Sequence, residues 1–60
     1  MNTLIFLTNG QSVQTQDNTP EDIAGLVNAG QQKIYTCADA FPPHQTHHIV
    51  VEHIVDVYAQ

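Results

Sequence analysis

Sixty residues make one domain, residues 1–60, and no more. A chain this short buries only about 60% of its unfolded surface, so it calls for a metal, a partner subunit or an efficient core. One cation, Lys33, stands against six acids, and the net charge of −5 excludes function by phosphate neutralisation or by docking on an anionic membrane.

The hydrophobic share of 42% is that of a folded chain rather than a disordered one. Cys37 is the only cysteine, so no internal disulfide can form. The apolar run Leu4-Ile5-Phe6-Leu7 is too short for a signal-peptide core and has no Lys or Arg before it. No stretch approaches the ~20 apolar residues of a membrane-spanning helix. The expected compartment is therefore the reducing cytoplasm, where a lone thiol is stable.

The chain opens with Thr3-Leu4-Ile5-Phe6-Leu7-Thr8, then Asn9-Gly10, then Gln11-Ser12-Val13-Gln14-Thr15. Asn-Gly between β-prone runs predicts a hairpin with a two-residue turn, which needs positive φ at both residues. That loop places Thr8 opposite Gln11, Phe6 opposite Val13 and Leu4 opposite Thr15. The core face then holds Leu4 and Phe6, and Ile5 and Leu7 point away from it.

Thr19-Pro20-Glu21-Asp22 announces a helix: an N-cap, a proline suited to the first turn, and two acids that complement the dipole. Ile23, Leu26 and Val27 form one apolar stripe, and Gly30 is the expected left-handed cap. Lys33-Ile34-Tyr35-Thr36-Cys37 reads as a third strand, and residues 39–45 as a loop.

Residues 46–58 admit two readings. As a helix they would align Val50, Ile54, Val57 and Tyr58. Their six Ile and Val residues favour strands instead, at 46–51 and 54–58, with a turn or bulge at Glu52-His53. The predicted fold is α+β, ordered β-β-α-β-β-β: a small antiparallel sheet of about four to five strands with one helix on one face.

This layout resembles that of small proteins of Gram-positive bacteria and their phages. Those chains open with an apolar strand, an Asn-Gly turn and a second strand, followed by a short capped helix. They end on a hydrophobic–x–Asp–Asn–Ile–hydrophobic–x–Ile pattern, matched here by Val50-Val51-Glu52-His53-Ile54-Val55-Asp56-Val57, with Glu52-His53 departing from Asp-Asn. The resemblance implies the element order and carries no activity or site residue.

His44, His47, His48 and His53 crowd into ten residues, and with Cys37 they are the candidate zinc ligands. The metal set so read is His44, His47, His48 and Cys37. On an extended chain His47 and His53 share a face but lie about 20 Å apart, so one ion needs a helix or a folded loop. The alternative is that these are strand-edge histidines in solvent, with no cofactor. Cys37 has no motif around it to make it a nucleophile, and no enzyme is expected.

A sheet covered by one short helix leaves its second face bare. Ile5, Leu7, Val50, Ile54, Val55 and Val57 are the residues expected to bury it in an interface, with a homodimer the first guess. The leading expectation is thus a non-enzymatic accessory module acting by protein contact or self-assembly. The alternatives are a small His/Cys metal-binding protein and an acidic inhibitor of a nucleic-acid-processing protein, and nucleic acid itself is not an expected partner.

Overall fold

A computed structural model describes residues 1–60. Strand β1 (Thr3–Leu7) turns into β2 (Ser12–Thr15) through Asn9-Gly10, as the sequence predicts, but with a different loop. Gly10 takes φ +85°, while Asn9 stays at negative φ. Gly10 N–H donates to Leu7 O at 3.0 Å, and Leu7 N–H donates to Gln11 O at 2.9 Å. This is a three-residue loop, in which only the glycine has to be left-handed.

The longer loop slips the register by one. Ile5 lies opposite Val13 and Thr3 opposite Thr15, so the side chains of β1 change face while Val13 and Thr15 of β2 stay on the core side. Ile5 is 0% exposed. Ile5 and Leu7 therefore face the core, not an interface, and Phe6 moves to the outer face, where its ring lies 5.8 Å from that of Tyr58. The slip places the β-branched pair Ile5 and Val13 inside and needs positive φ at one residue rather than two.

Helix α1 (Pro20–Ala29) carries the predicted caps. Thr19 Oγ1 accepts from Asp22 N–H at 3.2 Å, Asp22 Oδ2 accepts from Thr19 N–H at 3.4 Å, and Gly30 closes the helix at φ 68°. A ten-residue helix is marginal alone; this one packs on the last strand and buries Ile23 in the core.

Strands β3 (Ile34–Ala38) and β4 (Thr46–Val50) pair antiparallel across the loop 39–45. A 3-10 turn at Val51–His53, where the sequence breaks at Glu52-His53, leads into β5 (Ile54–Ala59), which pairs with β1. Residues 46–58 are thus strand, turn, strand. A bulge in β5 sets Asp56 opposite Phe6 but Ile54 opposite Leu7, with Val55 as the extra residue. Ile54 and Val57 consequently both pack against the core, and Val55 stands 62% exposed.

The fold is α+β, with its five strands divided between two antiparallel sheets, ordered β2-β1-β5 and β3-β4. Ile5, Ile23, Tyr35, Cys37, Ile49 and Val51 meet in one cluster drawn from both sheets, the helix and the turn. The expected bare face of a single sheet is thereby covered within the chain. Of the six residues assigned to an interface, Ile5 is fully buried and Leu7, Ile54 and Val57 pack half-buried on the core. Val50 and Val55 remain on the surface. No helix is long and apolar enough to cross a membrane.

Candidate functional site

The loop 39–45 is organised by Asp39. Its N–H donates to Gln45 O at 2.8 Å, and its Oδ1 accepts from Phe41 N–H at 2.9 Å. His44 Nδ1 lies 3.0 Å from Asp39 O, and His47 Nε2 lies 3.1 Å from Asp39 Oδ2. The Phe41 N–H and the His47 ring hold the Asp39 carboxyl below its ordinary value. His44 takes φ 58°, a left-handed conformation that histidine adopts more readily than most residues.

The pleat separates the remaining candidates. His47 pairs with Cys37 across β3 and β4, and His48 pairs with Thr36. Neighbouring residues of a strand point to opposite faces, so His47 turns inward and His48 outward. His48 Nδ1 is held 3.1 Å from Thr36 Oγ1. Cys37 is buried, and burial pushes its thiol pKa up against the lowering effect of the Thr15 hydroxyl. A thiol so shifted is a poor nucleophile. No three His, Cys, Asp or Glu side chains are placed to hold a metal ion, so the set His44, His47, His48 and Cys37 is not assembled. The strand geometry, with two histidines on opposite faces, is the physical reason.

The buried polar groups are committed to structure. Tyr35 donates its hydroxyl to Asn18 Oδ1 at 2.7 Å, and Thr3 donates to Asn18 O at 2.7 Å. Burial, followed by the nearby Cys37, Asp17 and Asp22, pushes Tyr35 up to about 12. No buried side-chain polar atom lacks a partner. Such satisfaction is what a structural core shows.

The feature that brings histidines together is a groove of about 320 Å³ between β4 and the β1–β2 hairpin. It touches the consecutive residues 47–50 of β4 and 11–13 at the start of β2, with His53 beside them. Side chains alternate between faces, so a groove meeting every residue in a row runs along the strand edges.

Hydrogen-bond parity identifies the groups on those edges. Val51 N–H donates to Lys33 O and Asp39 N–H to Gln45 O, so the odd-numbered residues of β4 bond to β3. Thr46, His48 and Val50 then direct their N–H and C=O away from β3. Likewise Leu7 N–H donates to Gln11 O, so Ser12 and Gln14 direct theirs away from β1. The Gln14 carbonyl confirms this by accepting from Ala40 N–H at 2.8 Å.

The sequence singled out the histidines but not the groove. Hydropathy alternation marks the faces of a strand, and nothing in it marks which edge stays unpaired. Comparison with protein-family models, curated proteins and solved structures finds no significant match. The likeness to the Gram-positive and phage proteins therefore rests on its residue pattern alone.

Proposed function

We propose that this chain is a non-enzymatic accessory module that acts through protein–protein contact, with association of two copies as the first form of that contact. The observation that carries the reading is the outward face of β3 and β4. There Ile34 and Val50 are cross-strand partners, yet they stand 43% and 39% exposed. An adjacent apolar pair in solvent gains when a partner covers it, by about 25 cal/mol per Å² removed from water. The buried, protonated thiol fits a cytoplasmic setting, where nothing draws it into a disulfide.

Absolute mass by light scattering across a concentration series tests the reading. A discrete dimer that Ile34→Thr with Val50→Thr returns to monomer supports self-association through this face. A monomer at every concentration removes self-association and leaves contact with a different protein.

A further inference from the structure

We infer that two copies of this chain join through the free edge of β5, antiparallel about a two-fold axis at Val57, so that one sheet runs on as β2-β1-β5-β5-β1-β2. This contact is a different surface from the Ile34 and Val50 face, which it leaves uncovered.

Hydrogen-bond parity defines the edge. Gln60 N–H donates to Asn2 O at 2.8 Å, and Asn2 N–H donates to Gln60 O at 3.4 Å. The even-numbered residues of β5 therefore bond to β1, Tyr58 with Leu4 and Asp56 with Phe6. Val57 and Ala59 then direct N–H and C=O away from β1, where no strand and no turn bonds to them. The edge of β3 differs. Gln32 Nε2 donates to Ile34 O at 2.7 Å, and Ala38 N–H donates to Asp17 Oδ2 at 2.8 Å. The edge of β2 gives its Gln14 carbonyl to Ala40 N–H. The open edge of β4 faces the hairpin across the histidine groove, whereas that of β5 faces solvent, with Val55, Asp56, Tyr58 and Ala59 exposed.

An unpaired edge is a template for another strand unless it is guarded. Strand β5 holds no proline and no lysine. Its bulge ends before Asp56, and Asp56–Ala59 pair regularly with β1. Beside the edge, a groove of about 330 Å³ between β5 and α1 meets Ile54, Val55, Asp56 and Val57 in a row, with Ala24 and Val27 on its helix side. A strand added here gains main-chain bonds and covers apolar side chains at once.

The sequence of β5 suits a second β5 as that strand. A pair centred on Val57 joins the N–H and C=O of Val57 to those of its counterpart. It sets the exposed, branched Val55 against the partner's small Ala59, and Asp56 against the partner's Tyr58. The registers on either side bring Asp56 onto the partner's Asp56, a like-charge contact, or shorten the ladder.

Amide exchange of the natural chain, followed by NMR from dilute to millimolar concentration beside its mass, is the test, because Val57 N–H has no partner within one chain. The mass should rise to that of a dimer, and exchange at Val57 should slow in step, by about tenfold or more. A synthetic chain N-methylated at Val57 keeps every bond to β1, so it should retain the native amide spectrum and associate about tenfold or more weakly. Tyr58→Lys sets a cation opposite the partner's Asp56. It should tighten association more than Gln11→Lys, an equal change of charge at the far side of the sheet. A chain that stays monomeric at millimolar concentration overturns the proposal. So does a dimer whose Val57 amide exchanges as freely as in dilute solution, or equal association of the N-methylated chain. Tyr58→Lys no tighter than Gln11→Lys overturns the register at Val57. If the N-methylated chain misfolds, exchange at Val57 in the natural chain still decides. A dimer with Val57 unprotected that Ile34→Thr with Val50→Thr dissolves removes this contact and keeps the other. A dimer with Val57 protected that those substitutions leave intact does the reverse.

Discussion

The Asp39 carboxylate sits 3.1 Å from His47 Nε2, while its other oxygen accepts from the Phe41 N–H and its own carbonyl lies against His44 Nδ1. One acid thus joins the start of the loop to its middle and to the first turn of β4. The hairpin β3–β4 depends on that closure, because the loop's other bonds are three backbone ones, from Asp39 N–H to Gln45 O, from His44 N–H to Phe41 O and from Ala40 N–H to Gln14 O.

Replacing Asp39 should therefore lower the melting temperature, more for Asp39→Ala than for Asp39→Asn, which keeps an oxygen for the Phe41 N–H. The pH dependence follows from the lowered carboxyl. A folded-state value below the unfolded one stabilises fully above the unfolded value of about 3.9 and is lost as pH falls through the folded value. The gap in melting temperature between the natural chain and Asp39→Asn should close as the pH is taken below about 4. A gap that stays constant into acid would show that the carboxylate charge contributes nothing there.

Gly10 is the residue on which the hairpin register turns. At φ +85° a Cβ is unfavourable whatever the surrounding space, and nothing lies near enough to clash. The cost of Gly10→Ala is then conformational, about 1–2 kcal/mol. Urea unfolding should show a lower midpoint at unchanged slope. Asn9→Asp should be close to neutral, because Asn9 is at negative φ and an aspartate keeps the oxygen that accepts from Gln11 N–H. In a two-residue turn Asn9 would itself be left-handed, and that substitution would cost more.

Ile5→Ala and Val55→Ala separate the two registers by energy. Ile5 is 0% exposed at the centre of the cluster, so its truncation should cost about 2–5 kcal/mol. Val55 is the bulged residue and stands 62% exposed, so its truncation should change stability by no more than about 0.5 kcal/mol. With only nine buried residues, the Ile5 variant is expected to be largely unfolded at ambient temperature. Similar small effects from both would argue against the slipped hairpin.

These contrasts show where the sequence was legible. Thr19, Pro20 and Gly30 are local signals with local causes, and the helix begins and ends on them. The Ile- and Val-rich stretch after His48 is strand, and the break at Glu52-His53 is a turn. The hairpin face was not legible, because Asn-Gly serves a two-residue and a three-residue loop equally and the two differ by one position of register. The division into two sheets was not legible either. It depends on β5 joining β1 rather than β4, a long-range pairing that the alternation of Ile54 to Tyr58 does not specify. The four side chains of the metal set are not brought together for a related reason: closeness in sequence becomes opposite faces once His47 and His48 lie on one strand.

Tyr35 gives a test of the core from the alkaline side. Its hydroxyl is bound to Asn18 Oδ1 at 2.7 Å, and its value is pushed up to about 12 chiefly by burial. A folded-state value raised above the unfolded one, about 10, contributes stability that is fully present below the unfolded value. That contribution is lost as the pH rises from about 10 towards the folded value of about 12. The natural chain should thus lose stability across this window, and phenolate absorbance in Tyr58→Phe should rise together with loss of the native amide dispersion. Tyr35→Phe removes this titration but also breaks the bond to Asn18, so at neutral pH it should cost about 0.5–1.5 kcal/mol. The two stability curves should then converge as the pH rises through the window. Ionisation of Tyr35 near pH 10 with the fold intact would mean that the ring is open to water and that the cluster around Ile5 and Ile49 is looser than its packing implies.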